Sequence, residues 1–168
     1  VLATTKEDTV KVNTLIALSS ALIGSSPEEG LSYATKARNL AESIEFVKGQ
    51  AYALKFIGIY YYNSSKNVEC LDNWLTALNL FKSINHKVGM ANMLNNMGAL
   101  YDRTGDDAKA LEYTLQSLTL SEEAGDKIRI ATALQNIGNT YLRKKATIRK
   151  GLEFLFRALP LSQELKNK

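Results

Sequence analysis

The chain has 168 residues, of which 45% are hydrophobic and 23% charged, and it carries a formal net charge of +4. This length fits one compact domain or one repeat array, and so mild a charge is weak support for a nucleic-acid or membrane partner. One cysteine, Cys70, excludes an internal disulfide and a cysteine-rich metal site, so the compartment stays open between cytoplasm and periplasm.

The first predicted element is a helix hairpin over residues 9–48. Its second helix begins at Ser26-Pro27, because Ser is a favoured N-cap and Pro is tolerated at the first helical position. Its first helix should pack through Thr14, Ala17, Leu18 and Ala21, and should turn Val12, Leu15, Ser19 and Leu22 outward. Because the packing face is weakly apolar, we interpret this hairpin as an atypical N-terminal cap.

The rest of the chain repeats every forty residues. The segments KFIGIYYYNSS, NNMGALYDRTG and QNIGNTYLRKK begin at Lys55, Asn95 and Gln135. In each, Gly follows an apolar residue and Tyr comes three positions later. These spacings place the apolar residues on one face of a helix, whereas strand alternation does not fit. The predicted repeats are 9–48, 49–88, 89–128 and 129–168.

The second half of each repeat also recurs. It begins with a small residue followed by Leu, at Leu31, Leu71, Leu111 and Leu152. The small residues, which would let two helices approach closely, are Gly30, Cys70, Ala110 and Gly151. Gly105-Asp106 and Gly125-Asp126 read as a helix stop followed by a new N-cap. The sequence therefore predicts eight helices in four antiparallel hairpins, an all-α fold.

Gly followed three positions later by Tyr, with small or apolar residues at the other packing positions, resembles the tetratricopeptide repeat. The resemblance covers almost the whole chain, although the usual period is about 34 residues. Its longer period is similar to that of LGN-type scaffolds, kinesin light chains and bacterial signalling proteins. The resemblance implies a right-handed α-solenoid of four stacked hairpins that binds a protein or peptide in a concave groove and is not an enzyme.

Stacking gives the repeated glycines and tyrosines an expected role. One hairpin cannot bury its apolar face alone, so each should supply knobs and hollows to its neighbour. We expect Gly58, Gly98 and Gly138 to be the hollows, since Gly within a helix costs about 1 kcal/mol relative to Ala. The large knobs are then Tyr61, Tyr101 and Tyr141.

Candidate ligand-binding residues lie on the first helix of each repeat, opposite the packing face. They are Tyr52, Lys55, Tyr62, Asn92, Asn95, Asn96, Arg103, Gln135, Asn136, Asn139 and Arg143. Asn and Gln each offer a donor and an acceptor, which suits a peptide backbone. By resemblance, Asn95, Asn96, Asn136 and Asn139 contact the main chain of a ligand. The groove should be aromatic in its N-terminal half and rich in carboxamides in its C-terminal half.

Other functions have weaker support. The only histidine, His86, has no nucleophile or metal-ligand pattern beside it, so we expect no catalytic site, no metal and no cofactor. A basic cluster between Arg143 and Lys150 leaves a nucleic-acid or small-molecule ligand as an alternative to a protein partner. A scaffold that forms homodimers without a peptide ligand is a further alternative.

The chain ends at QELKNK, where the first helix of another repeat would begin. Part of the last apolar face should then be uncovered, at Leu155, Phe156, Leu159 and Leu161. We therefore expect a longer protein. Similar bacterial proteins place such an array before a histidine kinase, nucleotide cyclase or DNA-binding domain, which implies a sensory or assembly role.

Overall fold

The computed structural model describes the backbone of residues 2–166 and the side chains of residues 8–165. Within that range the chain is helical and has no strand, so the all-α prediction is confirmed. The helices are α1 (Leu2–Leu22), α2 (Pro27–Ser43), α3 (Val47–Asn63), α4 (Asn67–Ser83), α5 (Lys87–Thr104), α6 (Asp107–Glu123), α7 (Lys127–Leu142) and α8 (Ile148–Lys166), with a 3-10 turn at Lys145–Thr147. The repeat boundaries stay a prediction, and the last two residues of the predicted fourth repeat lie outside the described residues.

The helices form two compact units, residues 1–86 and residues 87–168. The N-terminal unit holds the hairpins α1/α2 and α3/α4, and the C-terminal unit holds α5/α6 and α7/α8. Within each unit the second helix of one hairpin packs on the first helix of the next, and the two first helices also touch. This sequence of helix–helix contacts is typical of an α-solenoid built from helix hairpins, which is the predicted fold class.

Every helix from α2 to α6 ends in the same way. A residue with positive φ follows the helix, at Glu45, Ser65, Asn85, Gly105 and Gly125. The N–H of the next residue then bonds to the carbonyl five positions back, as in Phe46 to Ala41 at 2.7 Å and Asp106 to Tyr101 at 2.9 Å. These are Schellman-type helix ends, which turn the chain sharply in a few residues.

Two aspartates start the helices that follow these glycine turns. Asp106 and Asp126 accept a hydrogen bond from the backbone N–H of Lys109 and Arg129, each at 3.1 Å. The predicted stop and N-cap are therefore confirmed at both places. Ser26 is the N-cap residue of α2, although its side chain makes no capping hydrogen bond.

The first hairpin corrects one prediction. Val12 and Ser19, which were expected to face outward, have 0% exposure, whereas the expected packing residue Leu18 is 40% exposed. The other three expected packing residues, Thr14, Ala17 and Ala21, are also exposed. The predicted faces of α1 were wrong because the helix is displaced by one residue from the forty-residue register. Ser19 is buried, whereas Leu18, which lies forty residues before Gly58, is exposed.

The glycines at the centre of α3, α5 and α7 do lie at close helix contacts, as predicted. A Cβ on Gly58 would overlap the Trp74 indole, and a Cβ on Gly98 would overlap Thr114 Oγ1. A Cβ on Gly138 would lie 2.7 Å from a side-chain carbon of the second helix of its own hairpin. The hollows therefore receive side chains from within their own hairpin, and the expectation that they serve the neighbouring hairpin was wrong.

The tyrosines of the repeat behave in the same way. Tyr101 stacks on Tyr113 of α6 with ring centroids 5.4 Å apart. Tyr141 stacks on Phe154 of α8 at 5.8 Å. These two rings thus pack on the second helix of their own hairpin, which corrects their expected role as knobs between hairpins, whereas the ring of Tyr61 lies edge-on to Tyr60 of its own helix at 5.5 Å.

The small residues at the start of the second helices permit close approach, as predicted. Cys70 and Ala110 are buried, and a Cβ on Gly30 would lie 2.8 Å from the Ile23 backbone. A Cβ on Gly151 would meet the carbonyl oxygen of a residue in α7 at 2.8 Å. The backbones therefore approach most closely at Gly30 and Gly151, where even a Cβ would overlap a neighbouring backbone atom.

Candidate functional site

Three of the predicted ligand-binding residues lie in the N-terminal unit and are half-buried. Tyr52 packs edge-on against Phe81, with ring centroids 5.0 Å apart. Tyr62 lies against Trp74 at 5.7 Å, and the backbone carbonyl of Lys55 accepts the Trp74 indole N–H at 3.1 Å. These aromatic rings contribute to the packing of α3 on α4, which leaves only part of each ring for a ligand.

In the C-terminal unit, carboxamides join the first helices of the two hairpins. Asn136 on α7 donates from Nδ2 to Oδ1 of Asn95 on α5, at 2.9 Å. The bond fixes both side chains across the helix pair. It leaves the amide nitrogen of Asn95 and the oxygen of Asn136 able to bond elsewhere.

Two turns toward the start of α7, Arg129 makes a second link. Its Nε donates to Oδ1 of Asn92 at 3.0 Å, and one terminal nitrogen donates to the Asp126 carboxylate at 2.5 Å. The predicted set contained Asn92 but missed Arg129. The available signal was the spacing of Asp126 and Arg129, because an N-cap acid three residues before an arginine favours such a pair.

At the other end of α7, Arg143 is an internal clamp. Its guanidinium forms ion pairs with Asp102 at the end of α5 and, at 3.1 Å, with Asp107 at the start of α6. Thr140 also donates to Asp102 at 2.8 Å. Arg143 was predicted as a ligand contact, and most of its donors are already used within the protein.

Asp107 has a second cationic partner, Lys144, at 2.9 Å. The hydrogen bond from Lys144, helped by the positive charges of Lys144 and Arg143, lowers the pKa of Asp107. The basic cluster predicted between Arg143 and Lys150 is thus partly neutralised where it meets α6.

The remaining predicted residues differ in their surroundings. Gln135 is exposed and donates to Ser162 on α8 at 3.2 Å. Asn139 is exposed on α7, Asn96 is half-buried on α5, and Arg103 is exposed near the end of α5. These four do not converge on one point.

Two small cavities open beside the linked carboxamides. The larger, of about 110 Å³, is lined by Asn92, Asn95, Ser117, Ile128, Arg129 and Thr132. The smaller, of about 60 Å³, is lined by Gly98, Ala99, Asp102, Thr114, Asn136, Asn139 and Thr140. We call Asn92, Asn95, Asn136 and Asn139 the amide face. Its chemistry is neutral hydrogen bonding, and within residues 8–165 no three His, Cys, Asp or Glu side chains gather as metal ligands.

A different surface lies on α8, which continues through Pro160. Phe156 is 69% exposed and Leu159 is 51% exposed, as predicted for an uncovered apolar face. The predicted Leu155 and Leu161 are half-buried, while Leu152 extends the exposed stripe by one turn. Among the described helices, none is both long enough and apolar enough to cross a bilayer.

Comparison with known proteins agrees with this architecture. Residues 89–147 match the tetratricopeptide repeat family. No curated protein sequence gives a significant match. The chain is similar in structure to aspartyl phosphate phosphatase F from Bacillus subtilis, with a TM-score of 0.85, 14% identity and coverage of 93% of this chain and 41% of that one.

Two further crystal structures are similar. BtubC (BKLC) from P. vanneervenii has a TM-score of 0.77 and 14% identity, over 96% of this chain and 66% of that chain. MamA has a TM-score of 0.66 and 19% identity, over 99% and 86%. The chain spans less than two thirds of the phosphatase and of BtubC.

At these identities the likeness shows the fold alone. Proteins with these repeats are generally non-catalytic binding or scaffold modules. The match over residues 89–147 and the helical-repeat fold shared with these proteins confirm the predicted resemblance to tetratricopeptide-repeat proteins.

Proposed function

We propose that the chain is a protein-interaction module whose amide face binds an extended or helical segment of a partner protein. The observation that carries the proposal is the bond between Asn136 and Asn95, which couples carboxamides from two hairpins beside two open cavities. Carboxamides held in this way present hydrogen-bonding groups in fixed positions beside the cavities.

The coupled pair keeps hydrogen-bonding groups for a ligand. After the internal bond, Asn95 still offers amide hydrogens and Asn136 still offers an acceptor oxygen. A peptide backbone presents carbonyls and N–H groups in turn, so donors and acceptors side by side match it without selecting one sequence. Asn139, exposed one turn along α7, extends the same chemistry.

Preorganisation also favours binding. Arg129 bonds to Asn92 near the start of α7, and Arg143 ties the end of α7 to Asp102. Because these contacts fix the amide face before a ligand arrives, fewer side-chain rotamers must be immobilised on binding. The N-terminal unit is predicted to contact the partner segment through Tyr52, Lys55 and Tyr62.

The wider role is part of the same proposal. We infer that the chain is the sensory or assembly part of a larger signalling protein, and the similarity of its forty-residue period to that of bacterial signalling proteins supports this role. A nucleic-acid ligand has less support, because Arg143 and Lys144 already pair with Asp102 and Asp107.

Affinity capture with quantitative mass spectrometry tests the proposal. We expect the double variant Asn95→Ala/Asn136→Ala to recover partner proteins about tenfold less than the wild type, because two hydrogen-bonding side chains are lost. The matched control Asn79→Ala/Gln116→Ala removes two exposed carboxamides from second helices and should recover partners normally. Equal recovery by all three proteins would contradict binding at the amide face.

A second candidate function is supported by the α8 stripe. Leu152, Phe156 and Leu159 are exposed at spacings of four and three residues, which is the pattern of a helix face that packs on another helix. If the chain is an oligomerisation scaffold, light scattering should give a dimer that Phe156→Glu converts to a monomer. A monomeric wild type at high concentration would exclude this function.

A further inference from the structure

The larger cavity contains a polar atom with no partner. Among the described side chains, two buried polar atoms lack a hydrogen bond, Ser19 Oγ and Asn92 Nδ2. Ser19 lies inside the N-terminal unit, whereas Asn92 lines the 110 Å³ cavity. A buried donor without an acceptor is costly and rare in folded proteins, so the cavity side of Asn92 requires an acceptor that the chain itself does not supply.

The orientation of the Asn92 amide is fixed by its neighbour. Arg129 has only donors, and its Nε points at the amide oxygen of Asn92 at 3.0 Å. Rotating the amide by half a turn would set two donors against each other. The nitrogen is therefore the atom left for a cavity ligand.

The cavity does not call for an anion. The charge of Arg129 is balanced by Asp126, whose carboxylate accepts from the guanidinium at 2.5 Å and from the Arg129 backbone N–H at 3.1 Å. A carboxylate or phosphate ligand would have to compete with this bound acid. A neutral acceptor would not.

The two hydroxyl groups of the cavity are acceptors only. Ser117 Oγ donates to the backbone carbonyl of Ala91 at 2.8 Å, and Thr132 Oγ1 donates to that of Ile128 at 2.9 Å. Their hydrogens are used, and only lone pairs remain for a ligand. A carboxylate would place its oxygens against these lone pairs, whereas an N–H group would bond to them.

We propose that this cavity receives a side-chain carboxamide, from a Gln or Asn of the bound segment. The inference rests on the proposed function. The carboxamide oxygen accepts from Asn92 Nδ2, and its N–H groups face the oxygens of Ser117 and Thr132. The adjoining methylene groups contact Ile128, which is 59% exposed at the rim. A volume of about 110 Å³ has room for a group of this size, or for several waters in its absence.

Propanamide and sodium propanoate make a matched pair of probes, equal in size and different in hydrogen bonding. We expect propanamide to shift the side-chain amide NMR signal of Asn92 in the full chain to saturation, with a dissociation constant in the millimolar range typical of so small a ligand. Propanoate at the same concentration should give no saturable shift. Equal or tighter binding of propanoate, or no saturation by either probe, would overturn the proposal in favour of a cavity that holds an anion or water only.

Variants separate a specific site from a general surface effect. Asn92→Leu should weaken propanamide binding about tenfold or more, whereas Asn79→Leu, at an exposed carboxamide on α4 outside both cavities, should leave it unchanged. Thr132 is exposed, and Val has the same shape without the hydroxyl acceptor. Thr132→Val should therefore weaken propanamide binding several-fold, and it provides a test even if Asn92→Leu disturbs the fold. Wild-type affinity in both Asn92→Leu and Thr132→Val would overturn the assignment.

The two proposals can fail separately. If propanamide binds but the Asn95→Ala/Asn136→Ala variant captures partners normally, carboxamide binding in the cavity is supported and partner binding at the amide face is rejected. If partner capture depends on Asn95 and Asn136 but propanamide does not bind, the amide face is supported and the cavity ligand is rejected.

Discussion

Asn136 Nδ2 lies 2.9 Å from Asn95 Oδ1, and this hydrogen bond joins the first helices of two consecutive hairpins. Both side chains are half-buried, so the bond forms where water competes only in part. It makes the packing of α7 on α5 partly polar. Two further polar links join the same helices, from Arg129 to Asn92 at 3.0 Å and from Thr140 to Asp102 at 2.8 Å.

A double-mutant cycle measures that bond. We expect Asn95→Leu and Asn136→Leu each to lower the free energy of unfolding by about 1 kcal/mol, because each leaves a half-buried partner unpaired. The double variant should be less destabilised than the sum of the two, with a coupling energy of about 0.5–1.5 kcal/mol. Urea denaturation supplies all four values. Simple additivity would show that the pair is independent in solution.

The glycine at the centre of α5 gives a second prediction. Gly98→Ala should lower the melting temperature by several degrees, since a Cβ there overlaps Thr114 Oγ1 and lies 3.2 Å from the Ala110 carbonyl oxygen. Adding Thr114→Ala should restore part of the loss. Gly24→Ala is the matched control, because a Cβ on Gly24 meets nothing within 4 Å. If calorimetry finds the same melting temperature for Gly98→Ala and the wild type, α5 and α6 do not approach closely at Gly98.

The sequence predicted the helices and their pairing because the signal is repeated. Gly and Tyr recur every forty residues, and each copy supports the others. The turns at Gly105 and Gly125 were also predictable. The equivalent turns at Glu45 and Ser65 carry residues that do not favour positive φ, and only the twenty-residue spacing from the glycine turns identifies them.

The direction of each contact could not be predicted in the same way. Periodicity tells which face of a helix is packed, but a packed face touches both its own second helix and the next hairpin. The contact between Gly98 and Thr114 could therefore be identified only in the folded structure. The same limit applies to polar residues, because Arg129 and Asn92 are 37 residues apart and nothing local distinguishes a paired side chain from a solvated one.

The helix ends that lack glycine should be improvable. Ser65→Gly and Glu45→Gly should each raise the free energy of unfolding by up to about 1 kcal/mol, because a side chain at positive φ is strained. For a chain of this size that corresponds to a melting temperature about 2–4 °C higher. Gly105→Ala, at an equivalent turn with φ of 82°, should shift it in the opposite direction. A fall in the melting temperature of both glycine variants would contradict the strain.

The hydroxyl of Ser19 is the other buried polar group without a hydrogen bond among the described side chains. Substituting Ser19 tests whether this face of α1 is buried. Ser19→Ala should raise the free energy of unfolding by about 1 kcal/mol, because it removes an unsatisfied hydroxyl at 0% exposure. Ser117→Ala should instead destabilise, since that hydroxyl donates from α6 to the Ala91 carbonyl in α5. Chemical denaturation of the two variants compares them directly. If Ser19→Ala lost stability, the hydroxyl would have a partner in solution.

The clamp at the end of α7 should make stability depend on pH in the acidic range. The Lys144 hydrogen bond and the charges of Lys144 and Arg143 hold the pKa of Asp107 below its ordinary value of 3.8. Because the folded chain binds this proton less readily than the unfolded chain, the carboxylate contributes stability above pH 3.8 that is lost as the pH falls from there through the lower folded pKa. Asp107→Asn should therefore reduce the difference between urea midpoints at neutral and acidic pH, whereas Asp72→Asn, on exposed α4 surface, should leave it unchanged. The same pH difference in Asp107→Asn as in the wild type would mean that the clamp contributes nothing, because its ion pairs are then screened by solvent.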